Sequence, residues 1–230
     1  MYKRQGKGIG KEHSDYDIYI IMQDNVIEEY KKKFPFRKYK GLDLIIFSYS
    51  EFVKYAYWGG PEEFDRYNFT HLKVLIDKNK EIQKLVDKKA RIPEEELSKF
   101  ISRVLDGYIN YLYRSLKCLR DKDIVAARLE AAYSLPLFLD VIFAIHNGRL
   151  RPYYKYLRWE LENFPLTKLP INTEELIDIL MKILDDVDYK SQQKLLNIIE
   201  FILRREGYGH IFDSWGADFP WMKNFKLENK

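Results

Sequence analysis

The residues best suited to chemistry lie near the start of the sequence. Residues 6–22 read GKGIGKEHSDYDIYIIM, with Asp15 and Asp17 two apart in a short run rich in β-branched and aromatic side chains. Side chains on a strand alternate between faces, so this spacing sends both carboxylates the same way. Asp43 opens a second such run, LDLIIF over residues 42–47. Adjacent strands lie about 4.8 Å apart, so three carboxylates can converge at one edge of a sheet. Anions that close do not both stay ionised cheaply without a cation. Hard oxygen ligands in that number suit Mg2+, which keeps some of its waters and accepts phosphate oxygens as further ligands. Ahead of Asp15 runs a glycine-spaced basic loop of Gly6, Lys7, Gly8, Gly10 and Lys11, whose backbone N–H groups could approach phosphates closely. Each part has an ordinary reading as well: Asp15 as a strand-start cap, Asp43 as a turn acid after Gly41, and the loop as a solvated turn. The arrangement of all three is what points to a site.

The elements that must position these residues fall into two halves. Before Pro93, residues 15–22 and 42–47 read as strands buried under helices, and LKVLI at 72–76 as a weaker third. Residues 25–33, 50–57 and 80–89 have helical composition. The first ends before Phe34-Pro35, and the second is expected to stop at Gly59-Gly60-Pro61. The result is an α+β chain: a small α/β domain over residues 1–90 with a short mixed sheet, followed by an all-α bundle over 91–206. Leu97, Phe100, Ile101, Val104, Leu105, Tyr108, Ile109, Leu112, Leu116 and Leu119 recur at three and four, which marks a long amphipathic helix. A second helix runs from about residue 123 to 146 and is bent by Pro136, and a third covers 152–163. Asn172 with Glu175 forms a capping box for a fourth, and 191–205 makes a fifth that ends at Gly207. Residues 207–230 have no period and read as an irregular aromatic tail.

Composition narrows the class. The 230 residues carry 39 Lys+Arg against 35 Asp+Glu, a net charge of +4, which is no nucleic-acid coating. With 46% hydrophobic residues the chain can bury a core, and global disorder is excluded. The longest apolar run, residues 135–145, is interrupted by Pro136 and Asp140 and falls short of the ~20 residues of a membrane helix. No signal peptide is legible. A single cysteine, Cys118, excludes an intrachain disulfide and fits a reducing compartment, so the expected location is cytoplasmic.

At this point the sequence resembles the polymerase-β-type nucleotidyltransferase superfamily, whose signature is a Gly-Ser loop, a D-x-D strand and a third strand carboxylate. The stretch HNGRLRPYYKYL at 146–157 is similar to a segment of an uncharacterised bacterial and archaeal branch related to antibiotic nucleotidyltransferases. The similarity covers about residues 6–166. It implies Mg2+-dependent transfer of a nucleoside monophosphate from a nucleoside triphosphate to a hydroxyl acceptor, with pyrophosphate leaving. Asp15, Asp17 and Asp43 would hold two Mg2+ ions, and Lys7, Gly8 and Ser14 would contact phosphates. The family's Gly-Ser would lie about eleven residues before Asp15, where this chain has Lys3 and Arg4. Residues 1–5 (MYKRQ) match what the end of a transposase sequencing adapter encodes, so we expect them to be an assembly scar in place of a first strand and Gly-Ser loop.

In the helical half the resemblance implies an acceptor wall. Arg149, Arg151, Tyr154 and Lys155 form a basic and aromatic cluster, with solvated cations and packed tyrosines as the plainer reading. In antibiotic-modifying relatives a helix carboxylate serves as general base, and Glu130, on the second helix, is the candidate for that role without a motif to fix it there. Asp140, inside an apolar stretch, needs a partner such as an arginine. Trp215, Phe219 and Trp221 could be a homodimer interface or a lid on the bundle. The expected acceptor is a small molecule. Two alternatives stay open: a protein- or RNA-modifying, antitoxin-like transferase, and a non-catalytic nucleotide-binding relative.

Overall fold

A computed structural model describes residues 16–36 and 39–227. The chain is mixed α/β and mostly helical, and it divides into two compact units, Met1–Pro93 and Glu94–Lys230. Among the described residues no helix is long and apolar enough to cross a membrane.

In the first unit, strand β1 (Tyr16–Met22) runs parallel to β2 (Leu42–Ser48), in a register that sets Tyr16 opposite Leu42 and Met22 opposite Ser48. Helix α1 (Ile27–Lys33) forms the crossover and ends at Phe34, ahead of Pro35. The expected mixed sheet is, among the described residues, a two-stranded parallel one, because the crossover returns the chain to the same end. The only antiparallel pairing there is an isolated bridge between Tyr39 and Leu42. Ser48 ends β2 and also caps helix α2 (Tyr49–Lys54): its hydroxyl accepts from the Glu51 N–H while the Glu51 carboxylate accepts from the Ser48 N–H. A 3-10 stretch, Glu63–Phe69, and helix α3 (Glu81–Lys89) complete the unit. Tyr19, Phe52, Ala56, Phe69, Leu72 and Val86 form the core, with Ile21, Ile45, Phe47 and Tyr55 packed against it.

The third expected strand, residues 72–76, is not a strand. The Gln83 side chain takes the bonds a neighbouring strand would have taken: its Oε1 accepts from the Val74 N–H and its Nε2 donates to the Leu72 carbonyl. Helix α2 also ends five residues before the glycines expected to stop it. Lys89 Nζ donates to the carbonyls of Val53 and Tyr55, and the Arg66 guanidinium donates to Ala56, Lys88 and Arg91 carbonyls. Two buried cations thus satisfy the C-terminal carbonyls of α2 and α3, where positive charge is favoured.

The second unit begins with α4 (Glu94–Arg120), with three glutamates in its first turn, and folds back through a short turn into α5 (Ile124–Ala144), capped by Asp123. Their shared face buries Leu105, Tyr108, Ile109, Leu112, Leu116, Ala127, Ala131 and Phe138. Helices α6 (Leu157–Asn163), α7 (Thr173–Asp186) and α8 (Tyr189–Arg205) follow, α7 capped by Asn172 and α8 by Asp188. The tail expected to be irregular instead forms two short helices, α9 (Gly209–Asp213) and α10 (Asp218–Asn224). Ile211, Phe212, Phe219 and Met222 are buried there, so tertiary packing holds helices too short to show a period.

Candidate functional site

Asp17 and Asp43 are register partners on the two parallel strands. Directly opposed residues project to the same face, and this face is the one that carries Tyr19 and Ile21 on β1 and Ile45 and Phe47 on β2 into the core. Both aspartates therefore sit at the N-terminal ends of their strands, half-buried, at the margin of an apolar cluster. Among the described residues no lysine or arginine pairs with either carboxylate. Adjacent strands lie about 4.8 Å apart, so the register brings two like charges to neighbouring positions on one face.

Behind Asp17 stands a polar chain that sequence reasoning missed. The Tyr19 hydroxyl donates to Tyr55, and the Tyr55 hydroxyl donates to Asp65, which also accepts from Asn68. Burial first, and then the bond to Tyr55, raises the Tyr19 pKa above its ordinary value; burial and the Asp65 carboxylate do the same for Tyr55. Both phenols stay protonated at neutral pH and act as donors. Tyr55 and Asp65 flank the Gly59-Gly60-Pro61 turn, and no periodicity in the sequence joins them. Among the described residues no group of three or more His, Cys, Asp or Glu side chains is close enough to hold a metal ion. Asp15, Lys7, Gly8 and Ser14 lie outside the described residues, as do residues 1–5.

The remaining candidates belong to the second unit. Glu130 on α5 ion-pairs with Arg114 on α4. Arg149 Nη2 lies 2.8 Å from Glu160 Oε1, and the Glu160 side chain is only 2% exposed, so the arginine neutralises a buried carboxylate. Arg151 Nε pairs with Asp140 Oδ1 at 2.7 Å, which supplies the partner that Asp140 required, and its guanidinium lies 5.2 Å from the Tyr154 ring centroid. Lys155 Nζ stands over Tyr156 at 5.0 Å and Tyr153 at 5.8 Å. Tyr154 alone of these four lines a groove, of about 450 Å3, between α5, α6 and α7. Trp215 and Trp221 pack edge-on against Tyr113 of α4, and Trp215 Nε1 donates to Asp106.

Compared with family models, curated proteins and solved structures, the chain matches none of them. The functional reading therefore rests on the residues themselves.

Proposed function

We propose that the first unit is the catalytic half of a Mg2+-dependent nucleotidyltransferase, which moves a nucleoside monophosphate from a nucleoside triphosphate to a hydroxyl on a small acceptor molecule. The observation that carries this reading is the in-register opposition of Asp17 and Asp43 with no cation beside them among the described residues. A hard divalent cation with room for waters and phosphate oxygens fits that donor set. Asp15, two residues before Asp17, adds the third carboxylate by the D-x-D spacing. Bound Mg2+ would neutralise phosphate charge and lower the pKa of an acceptor hydroxyl.

The chain's own residues have separate tasks in this scheme. Asp17 and Asp43 fix the position of the cation because their strands are locked together by parallel pairing and by the core beneath them. Tyr19 packs at the next same-face position along β1 and is itself held through Tyr55 by Asp65, which stiffens the carboxylate's surroundings. The backbone of the Gly6 to Lys11 loop, with Lys7, Gly8 and Ser14, would receive the triphosphate. Of the helical candidates, Arg149 and Arg151 are committed to Glu160 and Asp140, while Tyr154 lines the groove of the second unit.

Incubation with α-labelled nucleoside triphosphates, Mg2+ and a panel of small polyols, aminosugars, RNA and protein tests the reading. Label on a small molecule is the expected result, and it should disappear with EDTA and in Asp17→Asn and Asp43→Asn. Label on protein or RNA would shift the acceptor class. Nucleotide binding without pyrophosphate release under every condition would contradict catalysis.

A further inference from the structure

Large apolar side chains gather on one face of the second unit. Val125, Leu129 and Tyr133 stand at i, i+4 and i+8 on α5, which puts them in a single stripe. They are 73%, 62% and 66% exposed. Ala132 and Pro136 continue the same face of α5 into the groove, which Tyr154 and, on α7, Met181 and Leu184 also line. These last three are 59%, 46% and 38% exposed, so six large apolar side chains form one continuous patch. The patch presents on the order of 600 Å2, the upper limit of what the largest patch on a monomer commonly reaches. That area approaches the ~800 Å2 that each partner gives to a standard stable interface. The charged groups at its margin are already engaged: Arg158 with Glu174 and Glu162, Glu130 with Arg114, and Arg128 with the Asp185 carbonyl. Charge therefore selects neither an acidic nor a basic partner.

We infer that this face docks a second copy of the chain, with α5 packed antiparallel on the same helix of the partner about a two-fold axis through Leu129. A two-fold axis makes residue i meet j while j meets i. Around Leu129 it brings Val125 of each chain against Tyr133 of the other, so a small side chain meets a large one at both ends and the leucines meet at the centre. Parallel packing would set tyrosine on tyrosine and valine on valine, crowding one end and leaving a gap at the other. The order of sizes along the stripe therefore suits the antiparallel pair. Met181 and Leu184 beside the stripe widen the contact beyond a single helix. The aromatic tail has no part in it, since Trp215 and Trp221 pack on Tyr113 of their own chain. The interface rests on the second unit alone and does not depend on nucleotidyl transfer.

Sedimentation velocity of the full chain at roughly 1–100 μM, the weak end of what a standard interface reaches, tests the inference. A dimer is expected. Leu129→Arg sets two like charges on the axis and should weaken dimerisation at least about tenfold, with an unchanged circular dichroism spectrum because the position is exposed. Met181→Arg, on a different helix of the patch, should weaken it as well and serves as the check should Leu129→Arg misfold. Val125→Glu and Tyr133→Lys should each weaken self-association. An equimolar mixture of these two variants should form a heterodimer about tenfold tighter than either homodimer, because the antiparallel register sets the introduced charges opposite each other. A chain that stays monomeric throughout that range would leave the face to a different partner and overturn the proposal. A dimer that survives both arginine substitutions, or a mixture that associates no better than its components, would overturn it too.

Discussion

At the scale of single residues, the decisive feature is a repulsion the described residues leave uncompensated. Asp17 and Asp43 face each other across a parallel ladder, and removing one charge should relieve the apo-protein. Asp43→Asn in EDTA is expected to raise the first unit's melting temperature, by about 4–8 °C for each 1 kcal/mol relieved in a domain of this size, and to abolish any shift on adding Mg2+. A melting temperature that falls in EDTA would mean that Asp43 is structurally satisfied. Lys89 gives a second prediction. Burial, then the neighbouring Arg66 and Lys88 charges, depress its pKa to about 8 from an ordinary 10.5. The unfolded chain therefore binds the proton more tightly between those values, and stability should rise with pH across that window until the tyrosines begin to ionise near 10, at up to about 1.4 kcal/mol per pH unit. Urea midpoints from pH 7.5 to 9.5 check this, and the slope should vanish in Lys89→Met. The opposition of Asp17 and Asp43 is set by the parallel register, but the acids that open the two β-like runs were legible in the sequence. Lys89, Arg66, Tyr55 and Asp65 were not, since their partners are brought to them only by the tertiary fold.

Among the elements, short-range signals placed some helix starts and missed others: α7 follows its Asn172 cap, whereas the helix expected from residue 152 is a 3-10 turn at Tyr154–Tyr156 with α6 beginning at Leu157. Asn172, expected as a cap, accepts from the Glu175 N–H, and Pro35 and Pro93 mark boundaries, whereas the caps Asp123 and Ser48 emerge only in the structure. The early end of α2, the Gln83 side chain standing in for a strand, and the helices of the tail all depend on contacts that spacing does not encode. Two element-level predictions concern the links between helices. His146 donates from Nδ1 to the Ile142 carbonyl at 2.6 Å and accepts at Nε2 from the Lys168 N–H at 3.0 Å, which ties the end of α5 to the loop before α7. Burial is the first cause lowering its pKa, so the unfolded chain takes up the proton first as pH falls. Its contribution to stability should be full above about pH 6.5 and lost progressively below it. Urea midpoints at pH 7.5 and 5.5 test this, with His146→Gln expected to remove the difference. Arg149→Met removes the arginine that pairs with the buried Glu160 carboxylate and should destabilise the second unit, and the added change Glu160→Gln should restore part of the loss. A loss below 1 kcal/mol in the single variant would show that Glu160 is not held by this pair.

For the whole molecule, the split at Pro93 separates the carboxylate pair from the helical acceptor candidates. Heating should resolve this division: Mg2+ is expected to move the transition of Met1–Pro93 and leave that of Glu94–Lys230 in place, read by calorimetry with and without EDTA. The change from short strands to long helical periodicity made the two-part organisation legible, since it alters the period of the apolar pattern itself. The central claim is that the Asp17 and Asp43 carboxylates hold a divalent ion. Binding of Mn2+ followed by electron paramagnetic resonance tests it most directly. The account predicts saturable binding to the wild-type chain, displaced by Mg2+ and lost in both Asp17→Asn and Asp43→Asn. Equal Mn2+ binding by the wild type and both variants would contradict it.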